Sequence, residues 1–487
     1  MPGFYVENFG CRATQADGAA LERQFEERGL SRASSPAHAS VVILNTCTVT
    51  AGADQDARAA IRRVRRQNPD ARIVVTGCYA QRAPDEIGAL PGVDLVVGNS
   101  HKHELARIAL PHLVTTNSLQ SNFVSLEQLT HNRVAPTEYS PEGAIFVSDI
   151  FAHTELVAAP VFDAANERTR PNLKIQDGCD NRCSFCVIPY VRGQSRSLGP
   201  ERIINEIKAL VRAGYREVVL SGINLGRWGR DLPTRVGTAG QAHAGRAALG
   251  RPGERNSPAS FVDLIQSILA ETPLEKLRIS SVEPMDWTDG MISLMASSPR
   301  IAKHAHVPMQ SGSDAVLRRM YRKYRPWHYR DKIKEIRAAM PTAAIGADVM
   351  VGFPRETDAE FESTRKMVEE LPFTYLHVFT YSARPGTPAA DMPNQVPIKI
   401  ARDRNRILRE LAAEKKLAFM RCFVGKTVEA ITLNEVGNDS EGEFTECLTD
   451  NYLKLRLRGS HQANRWQNVK VQGIGHASLL GFPCLGQ

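Results

Sequence analysis

Three cysteines crowd into eight residues, Cys179-Asp180-Asn181-Arg182-Cys183-Ser184-Phe185-Cys186, in a chain with nine cysteines over 487 positions. The run before them, Leu173-Lys174-Ile175-Gln176, reads as a short strand, so the thiols leave its end on a loop. A loop can turn three thiolates onto one centre, whereas a strand sends alternate side chains to opposite faces. Thiolates favour zinc, copper(I) or iron–sulfur clusters. Structural zinc commonly takes four ligands arriving as two close pairs, and neither a second pair nor a nearby His completes such a set here. Three thiolates suit a four-iron cluster with one iron left open for chemistry. The alternatives are an incomplete zinc site and a loop that is merely rich in reduced cysteine.

A second set of thiols is dispersed in sequence but regular in position. Strands are predicted over residues 4–9, 41–44, 72–76 and 93–97, with helices over 17–28 and 53–67 between them. Cys11 follows the first strand through Gly10, Cys47 the second through Asn45-Thr46, and Cys78 the third through Gly77. Strand–helix alternation predicts a small parallel sheet, whose strands all end along one edge. Three cysteines at equivalent strand ends therefore converge, which predicts a second metal or cluster site. The competing reading makes each a small hydrophobe near a strand end.

The C-x3-C-x2-C spacing of Cys179, Cys183 and Cys186 resembles the signature of the radical S-adenosylmethionine (SAM) enzymes. That resemblance implies a cluster whose open iron chelates the amino and carboxylate groups of SAM. Asn8-Phe9-Gly10-Cys11, Asn45-Thr46-Cys47-Thr48-Val49-Thr50 and Val75-Thr76-Gly77-Cys78-Tyr79-Ala80-Gln81 look like the N-terminal domain of the radical-SAM methylthiotransferases. The family implies two [4Fe-4S] clusters, the second held by Cys11, Cys47 and Cys78 and serving sulfur insertion. Residues 45–50, 53–69 and 77–81 resemble the branch acting on N6-threonylcarbamoyladenosine beside the anticodon of tRNA. The resemblance also implies one SAM supplying a methyl group and another, reductively cleaved, yielding a deoxyadenosyl radical that activates an adenine C–H bond. The partners implied are tRNA and an electron donor of flavodoxin or ferredoxin type; the sulfur donor is left open. Two other readings compete: methylthiolation of another tRNA adenosine or of a ribosomal-protein side chain, and an RNA-binding protein with structural or redox-sensing clusters.

These residues need a scaffold. Strands are predicted over 173–176, 217–221, 277–280, 303–308, 344–351 and 375–381, with helices near 200–213, 261–271, 313–321, 327–339 and 357–371. Six such units predict an incomplete (β/α)6 barrel over residues 171–420, the fold implied by the resemblance, with function at the C-terminal strand ends. Ser221-Gly222-Ile223-Asn224 follows the second strand, and the resemblance gives Gly222 and Asn224 to the methionyl end of SAM. Glu283, after the third strand, and Gln310, after the fourth, are candidates for SAM or substrate binding. His306 and Asp348 stand at strand ends too, where a satisfied structural polar group is an equal reading. Arg182, Arg192 and Arg196 flank the cluster loop, where guanidinium groups would stabilise an anionic cluster. No residue is singled out as a catalytic acid or base.

Around these lie weaker signals. Residues 1–112 form the predicted N-terminal α/β domain, and 113–170, with short strands at 144–147 and 156–157, read as a linker. A Gly-, Ala- and Arg-rich stretch over 231–260, including Gly237-Thr238-Ala239-Gly240 and Gly250-Arg251-Pro252-Gly253, reads as a disordered insertion. A basic helix over 400–420 leads into β-type runs at 427–433, 453–457 and 469–471, so 421–487 is predicted to be a small β-barrel. This region resembles the RNA-binding TRAM domain. Lys454, Arg456 and Arg458 alternate onto one strand face, and Arg62, Arg63, Arg65 and Arg66 charge the helix between Cys47 and Cys78; both are candidate phosphate contacts. Cys422, Cys447 and Cys484 lack ligand-like spacing and read as structural.

Composition, 42% hydrophobic and 23% charged, is that of a soluble globular protein. The odd cysteine count and its spacing do not form a disulfide framework, which predicts a reducing, cytoplasmic setting. The opening Met1-Pro2-Gly3-Phe4-Tyr5 lacks the pattern of a secretory signal, and no apolar run reaches spanning length, so no membrane contact is expected. A formal charge of +8 is compatible with a polyanionic partner.

Overall fold

A computed structural model describes residues 3–110, 144–153, 156, 170–232, 260–475 and 477–484. The chain divides into two compact units, Met1–Ala159 with Val187–Gly193, and Pro160–Cys186 with Gln194–Gln487.

The first unit is built on a parallel sheet ordered Ser31–Arg32, Gly3–Asn8, Val41–Thr46, Arg72–Gly77, Leu95–Gly98 and Ala144–Phe146. Val41–Thr46 is buried along its whole length, as a central parallel strand covered on both faces must be. Its alternate side chains enter different cores. Val42 and Leu44 pack with Ile61 and Val64 of helix Ala51–Gln67. Val41 and Ile43 pack with Leu21 and Phe25 of helix Arg12–Glu26. That second helix begins five residues before the predicted start at 17, because its first turns carry small residues that give little amphipathic signal. Its early start makes Cys11 the N-cap.

The predicted linker is partly sheet. Ala144–Phe146 pairs with Leu95–Gly98 as the sixth strand. All three of its residues are exposed, so this edge strand offers no burial pattern to read. Leu156 lies in no strand. Val157, and almost all of the insertion expected over 231–260, lie outside the described residues.

In the second unit Asn172–Lys174, Glu217–Ser221 and Lys276–Ile279 form one three-stranded parallel sheet, with Glu217–Ser221 central. His304–His306, Ala344–Val351 and Tyr375–Thr380 form another, centred on Ala344–Val351. Isolated bridges Leu277↔Ile301 and Ser281↔His306 link the third and fourth strands. The connecting helices are locally encoded. Ser260 with Asp263, and Thr357 with Glu360, close capping boxes at the starts of Phe261–Glu271 and Asp358–Glu370. Helix Asp289–Ser297, capped by the Thr288 side chain, is an addition to the predicted set.

Helix Ile398–Arg421 leads to a closed five-stranded barrel of Thr427–Asp439, Gly442–Thr449, Lys454–Arg458, Ser478–Pro483 and Trp466–Gly475. Its turn over 449–453 docks against the N-terminal ends of the central strands. The buried Arg278 guanidinium donates to the Glu217 carboxylate at 2.6 Å and to the Asp450 and Thr449 carbonyls at 3.1 and 3.4 Å. It also stacks on the Tyr452 ring, and Asn451 donates to the Thr342 carbonyl at 2.9 Å. Arg278 and Glu217 side chains are both wholly buried, and Arg170, 3.8 Å from Glu217, compensates only partly. Replacing Arg278 with Met is therefore expected to cost about 3–5 kcal/mol, the cost of stranding a buried charge. Urea denaturation should show the lowered midpoint, and a change under about 1 kcal/mol would mean water reaches the pair.

Candidate metal centres and their surroundings

The loop from Cys179 is pinned at its root by one amide. The Gln176 side chain donates to the Asp177 and Gly178 carbonyls at 3.0 and 2.8 Å and to Ser195 Oγ at 2.9 Å. Its oxygen accepts from the Asn224 backbone at 2.7 Å. Gln176–Asp177 leaves the sheet and pairs antiparallel with Arg196–Ser197, so the loop closes on itself. Gly222 has a local reason: a Cβ there would meet the Gln176 side chain at 2.9 Å.

Asn224 is buried and its Nδ2 lies 3.8 Å from Cys179 Sγ. Burial raises the Cys179 thiol, against hydrogen bonding from the Asn181 backbone. Arg322 Nη1 lies 3.2 Å from Cys183 Sγ, and the same guanidinium pairs with Glu283 and stacks on Tyr324. Burial opposes the Arg322 charge, but Tyr324, Glu283 and Cys183 hold it well above its ordinary range. A fixed cation thus faces a thiol that must ionise to bind metal. Cys183, Arg227, Glu283, Met285 and Arg322 line a small cleft. Gln310 adopts φ 61° and exchanges backbone hydrogen bonds with Asp348 and Met350 at 2.8 Å.

In the first unit Cys11 precedes helix Arg12–Glu26, Cys47 follows Val41–Thr46, and Cys78 opens helix Cys78–Arg82. Cys47 is pushed up to about 12, first by burial and then by Cys78, with a further contribution from Cys11. The first unit also holds a buried polar network. Asp17 Oδ2 accepts from Lys102 Nζ at 3.1 Å and Arg192 Nη2 at 3.0 Å, and Lys102 also donates to Asn45 Oδ1 at 3.1 Å. Two buried cations meet on the Asp17 carboxylate, and the Arg192 charge favours the Cys47 thiolate. Asn99 Nδ2 lies 3.7 Å from Cys78 Sγ.

By donor type both trios fit an iron–sulfur cluster, which thiolates hold. Thiolates sharing one zinc at about 2.3 Å stand about 3.8 Å apart. Among the described residues, the one trio of His, Cys, Asp or Glu donor atoms within 4.8 Å of one another is His306, Asp348 and His377. Neither cysteine trio is gathered that closely.

Several expectations need correcting. Arg192, expected to flank the Cys179–Cys186 loop and stabilise its cluster, donates to Thr14 and Asp17 in the first unit and favours the Cys47 thiolate. The guanidinium on a loop thiol belongs to Arg322, which no sequence pattern marked. Of the basic clusters, Arg63 pairs with Glu7, and Arg65 binds Asp94 and three carbonyls. Arg456 pairs with Asp439 and Glu446, and Arg458 with Asp439 and Glu441. Arg62, Arg66 and Lys454 stay exposed. Cys447 lies in the barrel core, whereas Cys422 and Cys484 are exposed. Among the described residues no helix is long and apolar enough to cross a membrane.

Residues 3–98 match the family described as uncharacterized protein family UPF0004, and residues 173–368 match the radical SAM superfamily. The chain is 34% identical to the threonylcarbamoyladenosine tRNA methylthiotransferase MtaB of Bacillus subtilis, over 96% of this chain and 93% of that one. It is also 34% identical to a tRNA-2-methylthio-N(6)-dimethylallyladenosine synthase of Acidothermus cellulolyticus, over 89% and 78%. Among solved structures, the radical S-adenosylmethionine methyltransferase TsrM of Kitasatospora setae aligns with a TM-score of 0.52 at 14% identity, over 80% of this chain and 74% of that one. That last likeness bears on the fold alone.

Proposed function

Since the chain belongs to the radical-SAM tRNA methylthiotransferase family, we propose that it converts N6-threonylcarbamoyladenosine next to the anticodon of tRNA to its 2-methylthio derivative. The observation that carries this reading is near end-to-end likeness to threonylcarbamoyladenosine enzymes, 34% identical in Bacillus subtilis and 33% in Aquifex aeolicus.

SAM and two [4Fe-4S] clusters, when bound, supply the methyl group and the one-electron chemistry that an unacidified adenine C–H bond demands. Cys179, Cys183 and Cys186 would hold one cluster, and Cys11, Cys47 and Cys78 the other. Gln176 sets the root of the first loop, Asn224 orients Cys179, and Arg322 offsets charge at Cys183. Gly222, Asn224, Glu283 and Gln310 are the residues we assign to SAM or substrate. Glu283, with its Arg322 partner, presents a carboxylate that can take an ammonium or hydroxyl group. In the first unit Arg192, held by Asp17, is a cation that favours the Cys47 thiolate. Arg62, Arg66 and Lys454 are free to meet phosphates, and the small C-terminal barrel serves as a TRAM-like tRNA contact. The electron donor is of flavodoxin or ferredoxin type, and the setting is cytoplasmic.

Deleting the gene should remove the methylthio group from threonylcarbamoyladenosine while leaving isopentenyl-type adenosines unchanged, read by mass spectrometry of tRNA nucleosides. The opposite pattern would move the protein to the dimethylallyladenosine branch. Loss of neither would refute a tRNA substrate of this kind.

A further inference from the structure

Among the described residues, one cluster of His, Cys, Asp or Glu donors is gathered as in a single ion's coordination shell. His306, Asp348 and His377 project from three adjacent strands, His304–His306, Ala344–Val351 and Tyr375–Thr380. The register places Gly346 beside His306 and Asp348 beside His377. Asp348 Oδ1 lies 3.3 Å from His306 Nε2 and 3.2 Å from His377 Nδ1. All three donor atoms fall within 4.8 Å of one another. Nitrogen and oxygen ligands about 2.0–2.2 Å from one zinc are separated by about 3.3–3.6 Å in a tetrahedral shell.

The imidazole orientation is the second observation. His306 is 8% exposed, and its Nε2 is buried without an aligned hydrogen bond although it faces the Asp348 carboxylate. Its Nδ1 lies 2.9 Å from Ser281 Oγ. If Nδ1–H donates to Ser281, the Nε2 lone pair is turned toward an anionic oxygen, an arrangement that a cation between them would satisfy. Metal-bound histidines characteristically donate their other ring N–H in this way. Aromatic neighbours hold the rings: the Tyr375 centroid is 6.0 Å from His306 and 5.4 Å from His377, with Phe379 beyond at 6.4 Å. Tyr375 can lie there because position 346 is Gly; a Cβ would collide with its ring. The His377 side chain is 55% exposed, so an ion has a way in.

We propose that His306 Nε2, Asp348 Oδ1 and His377 Nδ1 bind one divalent ion of the zinc class, distinct from both thiol sites. Two imidazoles and one carboxylate suit zinc or iron(II) over copper(I). Three protein ligands leave a fourth position for water or an oxygen donor. The rival reading is a hydrogen-bonded His–Asp–His bracket that only ties the strands together.

The test uses the full chain with its clusters reconstituted, cleared of loose metal by a chelator and then titrated with zinc sulfate. The expected result is one tightly held zinc per chain, measured by elemental analysis, with the iron content unchanged. X-ray absorption at the zinc edge should show only nitrogen and oxygen neighbours near about 2.0–2.1 Å. His377→Ala, at an exposed position, should abolish stoichiometric zinc binding without loss of iron. Ser281→Ala should weaken zinc by about tenfold, as loss of an outer-shell partner does. Zinc–sulfur distances of about 2.3 Å, no zinc retained by the unaltered protein, or full zinc retention by folded His377→Ala would each overturn the proposal.

Discussion

Replacing Cys11, Cys47 and Cys78 together with Ala is expected to abolish methylthiolated tRNA while SAM is still cleaved reductively to deoxyadenosine. The two thiol sets lie in different units of the chain, and each has its own polar setting. Cys179 and Cys183 keep Asn224 and Arg322 whatever happens at Cys47. Product and deoxyadenosine should therefore separate: product falls to background, while deoxyadenosine persists and becomes uncoupled from tRNA. The converse replacement of Cys179, Cys183 and Cys186 should remove both. Both products are measured under anaerobic conditions with a chemical reductant, after circular dichroism has shown that the small sheet still folds, since ligand loss can unfold a metal domain. If the folded triple variant still makes methylthiolated tRNA, the strand-end thiols are only structural.

A single methyl group should have nearly as large an effect on metal content. Gly10 adopts φ +97°, and a Cβ there would lie 2.6 Å from Cys47 Cβ and 2.8 Å from Cys47 Sγ. The left-handed backbone costs an alanine about 1–2 kcal/mol, but the collision decides the outcome because it falls on a ligand. Cys47 cannot retreat easily, for it is buried at the end of a fully buried strand. Reconstituted protein should carry about eight irons, two four-iron clusters, and Gly10→Ala should carry about four. Iron and acid-labile sulfide analysis reads this directly. An unchanged iron count would show that the loop holding Cys11 can swing clear, so that Cys11 is not fixed by its neighbours.

What could be read from the chain alone was what lies close in sequence or repeats. The spacing of Cys179, Cys183 and Cys186 is local, and the central strands alternate with well-capped helices, so strands Glu217–Ser221 and Ala344–Val351 and helix Phe261–Glu271 coincide with their predicted bounds. Arg322 was illegible because it reaches Cys183 across 139 positions of sequence from a loop with no periodic signature. Arg192 misleads for the opposite reason. It stands six residues past Cys186, yet its partner Asp17 is 175 positions away. His377 could be placed on the same strand face as Tyr375 by alternation, but its position beside Asp348 depends on register between strands, which no single segment carries. Strands Gly442–Thr449 and Ser478–Pro483 escaped because short barrel strands broken by Gly and Glu lack a clean period-two pattern.

The turn over 449–453 has a bearing on portability. A small closed barrel at a chain terminus invites treatment as a cassette, to be trimmed off or exchanged between relatives. Here trimming would strip Arg278 of two carbonyl acceptors and an aromatic face, and open the Glu217 ion pair to solvent. An exchanged barrel would have to bring a turn with the same reach, including the Asn451 amide and the Tyr452 backbone at φ 68°. The terminal barrel is thus a keyed part, and chimaeras joined after helix Ile398–Arg421 will work only where the turn and the strand ends beneath it travel together.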